Sequence, residues 1–264
     1  MSLQGWTLPQ SATGRSATLP APPWHYSGEI IAVDFLADPA RVAELAPPGF
    51  TPQGDGACTF FFADWCSAAE NDPRVQEDPA RGQYKEAYVV FVGTFRAMPM
   101  GRVPYIWVDN DLSLIRGLVQ GFPKKMGQVF MTRPVDIGRG GSRKAPGGRF
   151  AAHVSSMGRR LATASVRIEG QAVGGLPTGL RPLLHTRLWP SLAGDCPAVH
   201  EFSTVAVADG AMGTLWQGTA DLEFGDSEFE ELHLLAPRAV GKGWVYSTAF
   251  SVTGGQSLPI GGEA

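Results

Sequence analysis

Short runs of β-branched and aromatic residues, separated by turns rich in Gly and Pro, constrain the fold of this chain most strongly. EIIAVDFLA (29–37), ACTFFFADW (57–65) and EAYVVFVGTF (86–95) are such runs, each of strand length. The 264 residues include 33 Gly and 21 Pro, and only 18% are charged. Many short strands at turn-rich spacing are typical of a sheet or a barrel. We predict roughly eight strands and few helices, in a mostly β, α+β domain built on an antiparallel sheet or barrel.

Two segments carry helix signals. DPARVAELAP (38–47) begins with Asp38 as the N-cap and has Pro39 in the first helical position. LSLIRGLVQ (112–120) also has helical character, and the Gly-Phe-Pro corner that starts at Gly121 ends it. We therefore predict two helices outside the strands.

The domain organisation follows from the remaining segments. The polar, Pro-punctuated segment 66–83 predicts a long loop, and the Pro-bounded segment 176–192 predicts irregular structure. Residues 1–23 predict a loose N-terminal arm, and residues 24–258 predict a single domain because neither a repeat nor a composition break divides them. Further strand-like runs lie at 104–111, 127–137, 149–156, 162–170, 199–208, 213–224 and 242–255.

Charge and hydropathy exclude several classes of function. The net charge of −3 argues against a nucleic-acid surface, which would be basic. No window approaches the roughly 18 consecutive apolar residues that a membrane span needs. The first 19 residues lack the apolar segment of a secretion signal, and the three cysteines are too few and too scattered for a disulfide framework. We predict a cytoplasmic protein that binds neither nucleic acid nor membrane.

Common catalytic motifs are absent from the sequence. It has no G-x-G-x-x-G between a strand and a helix, no Walker loop, no G-x-S-x-G and no H-E-x-x-H. The five histidines never pair at the i+2 or i+4 spacing of metal ligands, so no metal site is predicted. Glu228, Glu230 and Glu231 form an acidic run that we expect to face solvent.

Two adjacent lysines in QGFPKKMG (120–127) offer a different chemistry. A lysine amine attacks a carbonyl only when neutral, and its ordinary pKa is about 10.4. Burial in an apolar pocket or a nearby cation lowers that pKa. In an extended segment the side chains of Lys124 and Lys125 point to opposite faces, so only one of them enters an interior. The spacing alone leaves both ways of lowering the pKa open.

The segment WVDNDLSLIRGLVQGFPKKMG (107–127) resembles the lysine segment of the acetoacetate decarboxylase superfamily, with its aromatic-Pro-Lys-Lys-x-Gly motif. GQYKEAYVVF resembles the Tyr-x-Glu strand of that superfamily, which supplies an active-site carboxylate. DPARVAELAPPGF, LRPLLHTRLWP and LWQGTADLEF resemble its first helix, its Arg-Pro segment and its late Trp-x-Gly strand. These segments occur in the order of the superfamily and cover most of the chain.

The resemblance implies a cone-shaped antiparallel β-barrel with a few outer helices and a Schiff-base lysine in an apolar cavity. Lys124 matches the nucleophile, Lys125 matches the second lysine, and Glu86 matches the carboxylate that transfers protons. Tyr84 and Phe122 stand in the same motifs and are expected to contact the substrate. An iminium at the lysine serves as the electron sink, so the resemblance implies no cofactor. Members of the superfamily are usually homo-oligomers, so the resemblance also implies a homo-oligomer.

The sequence departs from the true decarboxylases at several positions. The chain has Arg116-Gly117-Leu118 where those enzymes tend to have Gly-Arg-Glu, and it lacks their arginine before the first strand. Asp64 is the only acid in the strand that should bring a second glutamate. It either serves as that carboxylate with a shorter reach, in substrate binding, or simply ends the strand. Arg116 lies eight residues before Lys124, as in members that resemble aldolase-dehydratases, where an arginine holds the carboxylate of a pyruvate-like substrate. The alternative is that Arg116 is an ordinary exposed helix residue.

The leading hypothesis is therefore a cofactor-independent Schiff-base lyase that acts on a small, pyruvate-like oxo acid. It would condense the enamine with an aldehyde and then eliminate water. One alternative is a decarboxylase of acetoacetate or another 3-oxo acid. A second alternative, from another class, is a non-catalytic ligand-binding barrel that has kept the lysine.

Overall fold

The structure is a computed structural model that describes residues 2–260, in which strands predominate. The fourteen strands of this part of the chain are β1 (Trp24–Leu36), β2 (Phe50–Pro52), β3 (Ala57–Ala69), β4 (Gln83–Phe95), β5 (Met98–Arg102), β6 (Ile106–Val108), β7 (Lys124–Met126), β8 (Gln128–Met131), β9 (Arg149–Ser156), β10 (Arg159–Gln171), β11 (Leu183–Pro190), β12 (Pro197–Met212), β13 (Trp216–Phe224) and β14 (Ala239–Pro259). Its helices are α1 (Pro39–Glu44), α2 (Arg74–Glu77), α3 (Pro79–Gly82) and α4 (Asp111–Gln120), with a 3₁₀ turn at Leu232–Leu235.

Seven strands close into a barrel in the order β1, β3, β4, β5, β11, β12 and β14, because β14 pairs again with β1. Neighbours in this ring are antiparallel, except that β5 and β11 pair in parallel. The strands β13, β10, β9 and β8 continue the sheet beyond β14, and β6 joins β7 to β4. This mostly β architecture with a closed barrel and few helices confirms the predicted fold class.

The barrel interior is aromatic. One buried cluster takes residues from β1, β3, β4 and β14 and partly buried residues from β11 and β12. Strands from all round the ring can meet only inside it, so this cluster fills the interior. The alternate residues of the same strands pack outward against β8, β9, β10 and β13 in a second cluster. Because both faces of β1, β3 and β4 are buried, these strands read as nearly continuous apolar runs in the sequence.

Local signals explain the helix that leads to the lysines. The side chain of Asn110 accepts a hydrogen bond from the backbone N–H of Ser113 at 3.0 Å, which caps the N-terminus of α4. Gly121 ends the helix with a φ of 96°, a left-handed conformation that favours glycine. In α1, Asp38 is the N-cap and Pro39 takes the first helical position, as the sequence predicts.

Several segments differ from the prediction. Residues 183–190, predicted to be irregular, form β11, whose partners are β12 and β5. The predicted loop 66–83 is shorter, because β3 continues to Ala69 and the helices α2 and α3 follow. The strand count exceeds the predicted eight because short strands of three to five residues form through pairing with longer neighbours.

The segment before β1 contacts the barrel. Leu19 is buried, and the ring of Trp6 packs edge-on against Trp24 with 5.5 Å between the ring centroids. No helix within residues 2–260 is both long enough and apolar enough to cross a bilayer.

Candidate active site

Lys124 lies inside the barrel at the start of β7. Its Nζ donates hydrogen bonds to Glu86 Oε2 at 2.8 Å and to Ser113 Oγ at 2.9 Å. Only 7% of the lysine side chain and 10% of the Glu86 side chain is exposed. The structure therefore joins two of the predicted catalytic residues in a buried ion pair.

One face of α4 makes room for this lysine. Ser113, Arg116 and Gly117 are the buried residues of the helix, at the i, i+3 and i+4 spacing of a single face. A Cβ atom at Gly117 would lie 2.4 Å from Cδ and 2.6 Å from Cε of Lys124. The lysine stem thus crosses the helix at the one position of this face where no side chain stands in its way.

Lys125 points away from the interior. The strands β6 and β7 pair in parallel, with Trp107 opposite Lys125. Lys125 Nζ donates to Glu230 Oε2 at 2.7 Å, and Trp107 Nε1 donates to Glu230 Oε1 at 3.0 Å. Only 3% of the Glu230 side chain is exposed, so the expectation that this acidic residue faces solvent is wrong. Strand alternation separates the two lysines, as the sequence predicts.

Burial is the main cause of the altered pKa of Lys124. Desolvation lowers the pKa of its amine below the ordinary value, the charge and hydrogen bond of Glu86 oppose this shift, and the charge of Arg116 adds to it. The nearby cation is therefore Arg116, from the helix, and Lys125 does not contribute. A lysine with a lowered pKa is neutral more often and can attack a carbonyl.

Glu86 is held in place from two sides. Its Oε1 accepts a hydrogen bond from Trp65 Nε1 at 2.9 Å, while its Oε2 faces Lys124. In the paired strands β3 and β4, Trp65 lies opposite Tyr84, and alternation places Trp65, Tyr84 and Glu86 on the interior face. A fixed carboxylate beside the amine can accept and return a proton during chemistry on a lysine adduct.

Arg116 lies on one side of Lys124 among aromatic rings. Its guanidinium carbon lies 4.9 Å from the ring centroid of Tyr26, 5.7 Å from that of Tyr84 and 5.8 Å from that of Trp24. The residue is 5% exposed, and its Nη2 donates to Ser67 Oγ at 3.5 Å. Within residues 2–260 no carboxylate lies within salt-bridge distance of this guanidinium.

Phe122 and His185 also lie near Lys124. The lysine Nζ is 5.6 Å from the ring centroid of Phe122 and also 5.6 Å from that of Tyr84. The ring of Phe122 lies against the imidazole of His185, with 3.9 Å between the centroids. His185 is buried, and burial followed by the charges of Arg102 and Lys124 lowers its pKa to about 3. The imidazole is therefore neutral at physiological pH.

Asp64 does not join this cluster. It neighbours Trp65 on β3 and therefore points to the opposite face of the strand. Its carboxylate lies 3.5 Å from Arg133 and 4.0 Å from Lys85, and it lines a surface cleft of about 690 Å³. The structure thus brings Lys124, Glu86, Arg116, Tyr84 and Phe122 together and leaves Lys125 and Asp64 outside.

The sequence did not predict four further members of the cluster. Ser113 and Gly117 were detectable in principle, since they share the face of a helix whose two ends carry clear signals. Trp65 and His185 carried no such signal, because only strand pairing and barrel closure bring them to the lysine. Within residues 2–260, no group of three or more His, Cys, Asp and Glu side chains is placed to hold a metal ion.

The cluster can carry out amine chemistry on a small carbonyl compound. It contains a desolvated lysine, a carboxylate in contact with that lysine, and a buried guanidinium that can bind an anion. The enclosing rings would keep water away from an adduct.

Several proteins of known structure share this fold. The model of the family "Acetoacetate decarboxylase (ADC)" matches residues 7–258. Among solved structures, the enduracididine biosynthesis enzyme MppR complexed with pyruvate is 37% identical, with a TM-score of 0.91 and 98% of both chains covered. The same enzyme complexed with the condensation product of pyruvate and imidazole 4-carboxaldehyde is 38% identical, with a TM-score of 0.92 and the same coverage.

A more distant structure, an acetoacetate decarboxylase-like enzyme from Sphingomonas wittichii RW1, is 28% identical, with a TM-score of 0.88, and covers 97% of this chain and 100% of that chain. No protein of curated function matches the sequence. The family model spans nearly the whole chain, from the N-terminal segment to the last strand, and we conclude that this protein belongs to the acetoacetate decarboxylase family.

Proposed function

We propose that this protein is a cofactor-independent lyase that forms a Schiff base between Lys124 and a small 2-oxo acid such as pyruvate. The enamine derived from this adduct then adds to an aldehyde, and water is eliminated. The observation that carries the proposal is the placement of Arg116. This buried guanidinium has no carboxylate within salt-bridge distance in the described chain and lies beside the same Tyr84 ring as Lys124.

The energetics of Arg116 favour an anionic ligand. Removing an unpaired charge from water costs several kcal/mol, and contacts with aromatic faces return only about 0.5–2 kcal/mol each. A carboxylate would accept a bidentate pair of hydrogen bonds from the planar guanidinium. A 2-oxo acid carries that carboxylate directly on the keto carbon, and it retains the group throughout an aldol reaction.

The relatives support the same class of substrate. MppR, 37–38% identical over nearly the full chain, is known in complex with pyruvate and with the condensation product of pyruvate and imidazole 4-carboxaldehyde. We transfer this substrate class to the present protein as part of the proposal.

The proposed reaction begins with attack of neutral Lys124 on the keto carbon. Uptake of one proton from the solvent and loss of one water give the iminium, and Glu86 takes a proton from the methyl carbon to leave an enamine. The enamine carbon bonds to the aldehyde carbon, the aldehyde oxygen takes the electron pair of its double bond, and Glu86 returns the proton to that oxygen. Glu86 then removes the second proton from the former methyl carbon and delivers it to the departing hydroxyl, which leaves as water. Hydrolysis returns the first proton to the solvent and frees Lys124 and an unsaturated 2-oxo acid.

Trapping with borohydride tests the proposal. Pyruvate should form a reducible adduct far more readily than acetone, which has the ketone but no carboxylate. A charge-assisted hydrogen bond contributes about 1.5–3 kcal/mol, so Arg116→Met should weaken pyruvate binding roughly ten- to a hundred-fold and leave acetone almost unchanged. Arg102→Met is the matched control, because Arg102 is also partly buried but donates to the backbone carbonyl of Leu184. It should leave the preference for pyruvate over acetone unchanged.

The second candidate is decarboxylation of a 3-oxo acid, which the family and the contact between Lys124 and Glu86 favour. A fixed guanidinium suits this reaction less well, because holding the departing carboxylate stabilises the ground state rather than the transition state. Rapid release of carbon dioxide from acetoacetate, insensitive to Arg116→Met, would establish this candidate in place of the first. If neither substrate formed an adduct, the protein would be a non-catalytic binding barrel.

A further inference from the structure

Two aromatic rings near Lys124 have different neighbours. The ring of Tyr84 contacts both the lysine Nζ and Arg116, with centroid distances of 5.6 Å and 5.7 Å. The ring of Phe122 contacts the lysine Nζ at 5.6 Å and His185 at 3.9 Å. The nucleophile therefore shares one ring with a cation and another ring with an imidazole.

This asymmetry favours one orientation of a pyruvate adduct. The keto carbon bonded to the lysine carries the carboxylate and the methyl group on opposite sides. With the carboxylate at Arg116, the methyl carbon can lie near Phe122 and His185. The methyl carbon becomes the nucleophilic carbon of the enamine, so the aldehyde carbon bonds at the end of the adduct near the imidazole.

His185 has a free hydrogen-bonding atom. It lies on β11 opposite Ser203, on the same face as Leu183, which packs against the interior cluster. Its Nε2 is buried and has no hydrogen-bond partner within the described chain, which is an unusual state for a buried polar atom. A buried polar atom without a partner, close to a reaction site, is suited to a group that arrives with the substrate.

We propose that His185 binds the aldehyde oxygen through Nε2–H and stabilises the negative charge that develops there during carbon–carbon bond formation. This inference rests on the proposed aldol function. His185 donates a hydrogen bond in this step and transfers no proton, since the proton on the product hydroxyl comes from Glu86. The same contact assists the later departure of that hydroxyl as water.

The protonation state of His185 agrees with this role. Because the imidazole stays neutral, it adds no second full charge beside the iminium. The half-buried Phe122 covers the imidazole. Rotation of this ring about its side-chain bonds opens Nε2 to the adduct.

Three measurements on the same protein separate the steps of the reaction. Borohydride trapping with pyruvate reports Schiff-base formation. Exchange of the pyruvate methyl protons in deuterium oxide, followed by NMR, reports enamine formation. Absorbance of the unsaturated oxo acid, with imidazole 4-carboxaldehyde as the probe, reports addition and dehydration.

His185→Leu should leave trapping and methyl exchange within about two-fold of wild type and slow the aldehyde step by roughly 10²–10³, the cost of losing one oxyanion donor. His185→Gln, whose amide nitrogen reaches about as far as Nε2, should recover part of that loss. His153→Leu is the matched control, because His153 also lies against a phenylalanine and has a ring nitrogen without a partner, but it is on β9, outside the barrel ring. It should affect none of the three steps.

The outcomes also separate this inference from the function on which it rests. If the aldehyde step were unchanged in His185→Leu, the role of His185 would be overturned. The same conclusion would follow if all three steps slowed equally and His185→Gln recovered none of the loss. Either result would leave the proposed lyase intact. Absence of a pyruvate adduct in the wild-type protein would instead overturn the proposed function, and the role of His185 with it.

Discussion

Gly117→Ala is the substitution for which the structure makes its sharpest prediction. In a helix interior alanine is about 1 kcal/mol more favourable than glycine, so this change would ordinarily stabilise α4. The added methyl carbon, however, would lie 2.4 Å from Cδ of Lys124. Carbon atoms in contact are about 3.5–4.0 Å apart, so the lysine stem must move by about 1 Å.

The displacement should affect activity more than stability. Overpacking costs about 1–3 kcal/mol, which the gain in helix propensity partly offsets, so the free energy of unfolding should fall by no more than about 2 kcal/mol. A misplacement of about 1 Å at the nucleophile should slow adduct formation with pyruvate by roughly 10²-fold. The rate of borohydride trapping and a urea unfolding curve measure the two effects.

A double-mutant cycle assigns the cause. In a Lys124→Ala background the added methyl group meets no lysine stem, so Gly117→Ala should there stabilise the protein by up to about 1 kcal/mol. Gly170→Ala on β10 is the control, because a Cβ atom there has no neighbour within 4 Å and should leave trapping unchanged. The reasoning would be refuted if Gly117→Ala formed the pyruvate adduct at the wild-type rate. It would also be refuted if Gly117→Ala lowered the free energy of unfolding equally in the wild-type protein and in Lys124→Ala.

Two further predictions concern the groups around the lysine. Glu86→Gln should retain adduct formation and slow product formation by roughly 10²–10⁴-fold, the usual contribution of a general acid–base residue. If single-turnover assays of this variant gave the wild-type rate, Glu86 would have a structural role only. Because only the neutral amine reacts, the rate of trapping should rise with pH, with a midpoint below the ordinary pKa of lysine. Arg116→Met should raise that midpoint, because the charge of Arg116 lowers the pKa of Lys124. Lys125→Met should leave the midpoint unchanged, and a raised midpoint in that variant would show that the neighbouring lysine does act on Lys124.

Much of the local structure was readable in the sequence. Asn110 and Gly121 mark the ends of α4, and the corner after Gly121 places the lysines at the start of an extended segment. Alternation within that segment then separates Lys124 from Lys125. The cluster residues Glu86, Tyr84, Phe122 and Arg116 came from motif resemblance, and the structure places them together.

The remainder depends on contacts between distant segments. The segment LLHTRLWP follows a proline and ends in one, and its pairing with β12 and β5, rather than its composition, makes it a strand. His185 therefore could not be assigned to the interior beforehand. Glu230 looked like part of a solvated acidic run, and only its contacts with Trp107 and Lys125 explain its burial. Asp64 and Trp65 are neighbours in sequence, and strand pairing decides which of them faces the lysine.

Peptide mapping after borohydride reduction in the presence of pyruvate tests the central claim most directly. The wild-type protein should carry one reduced pyruvate adduct, located on Lys124. The adduct should be lost in Lys124→Ala and kept in Lys125→Ala. An adduct on Lys125, or no adduct at all at saturating pyruvate, would contradict the account of this site.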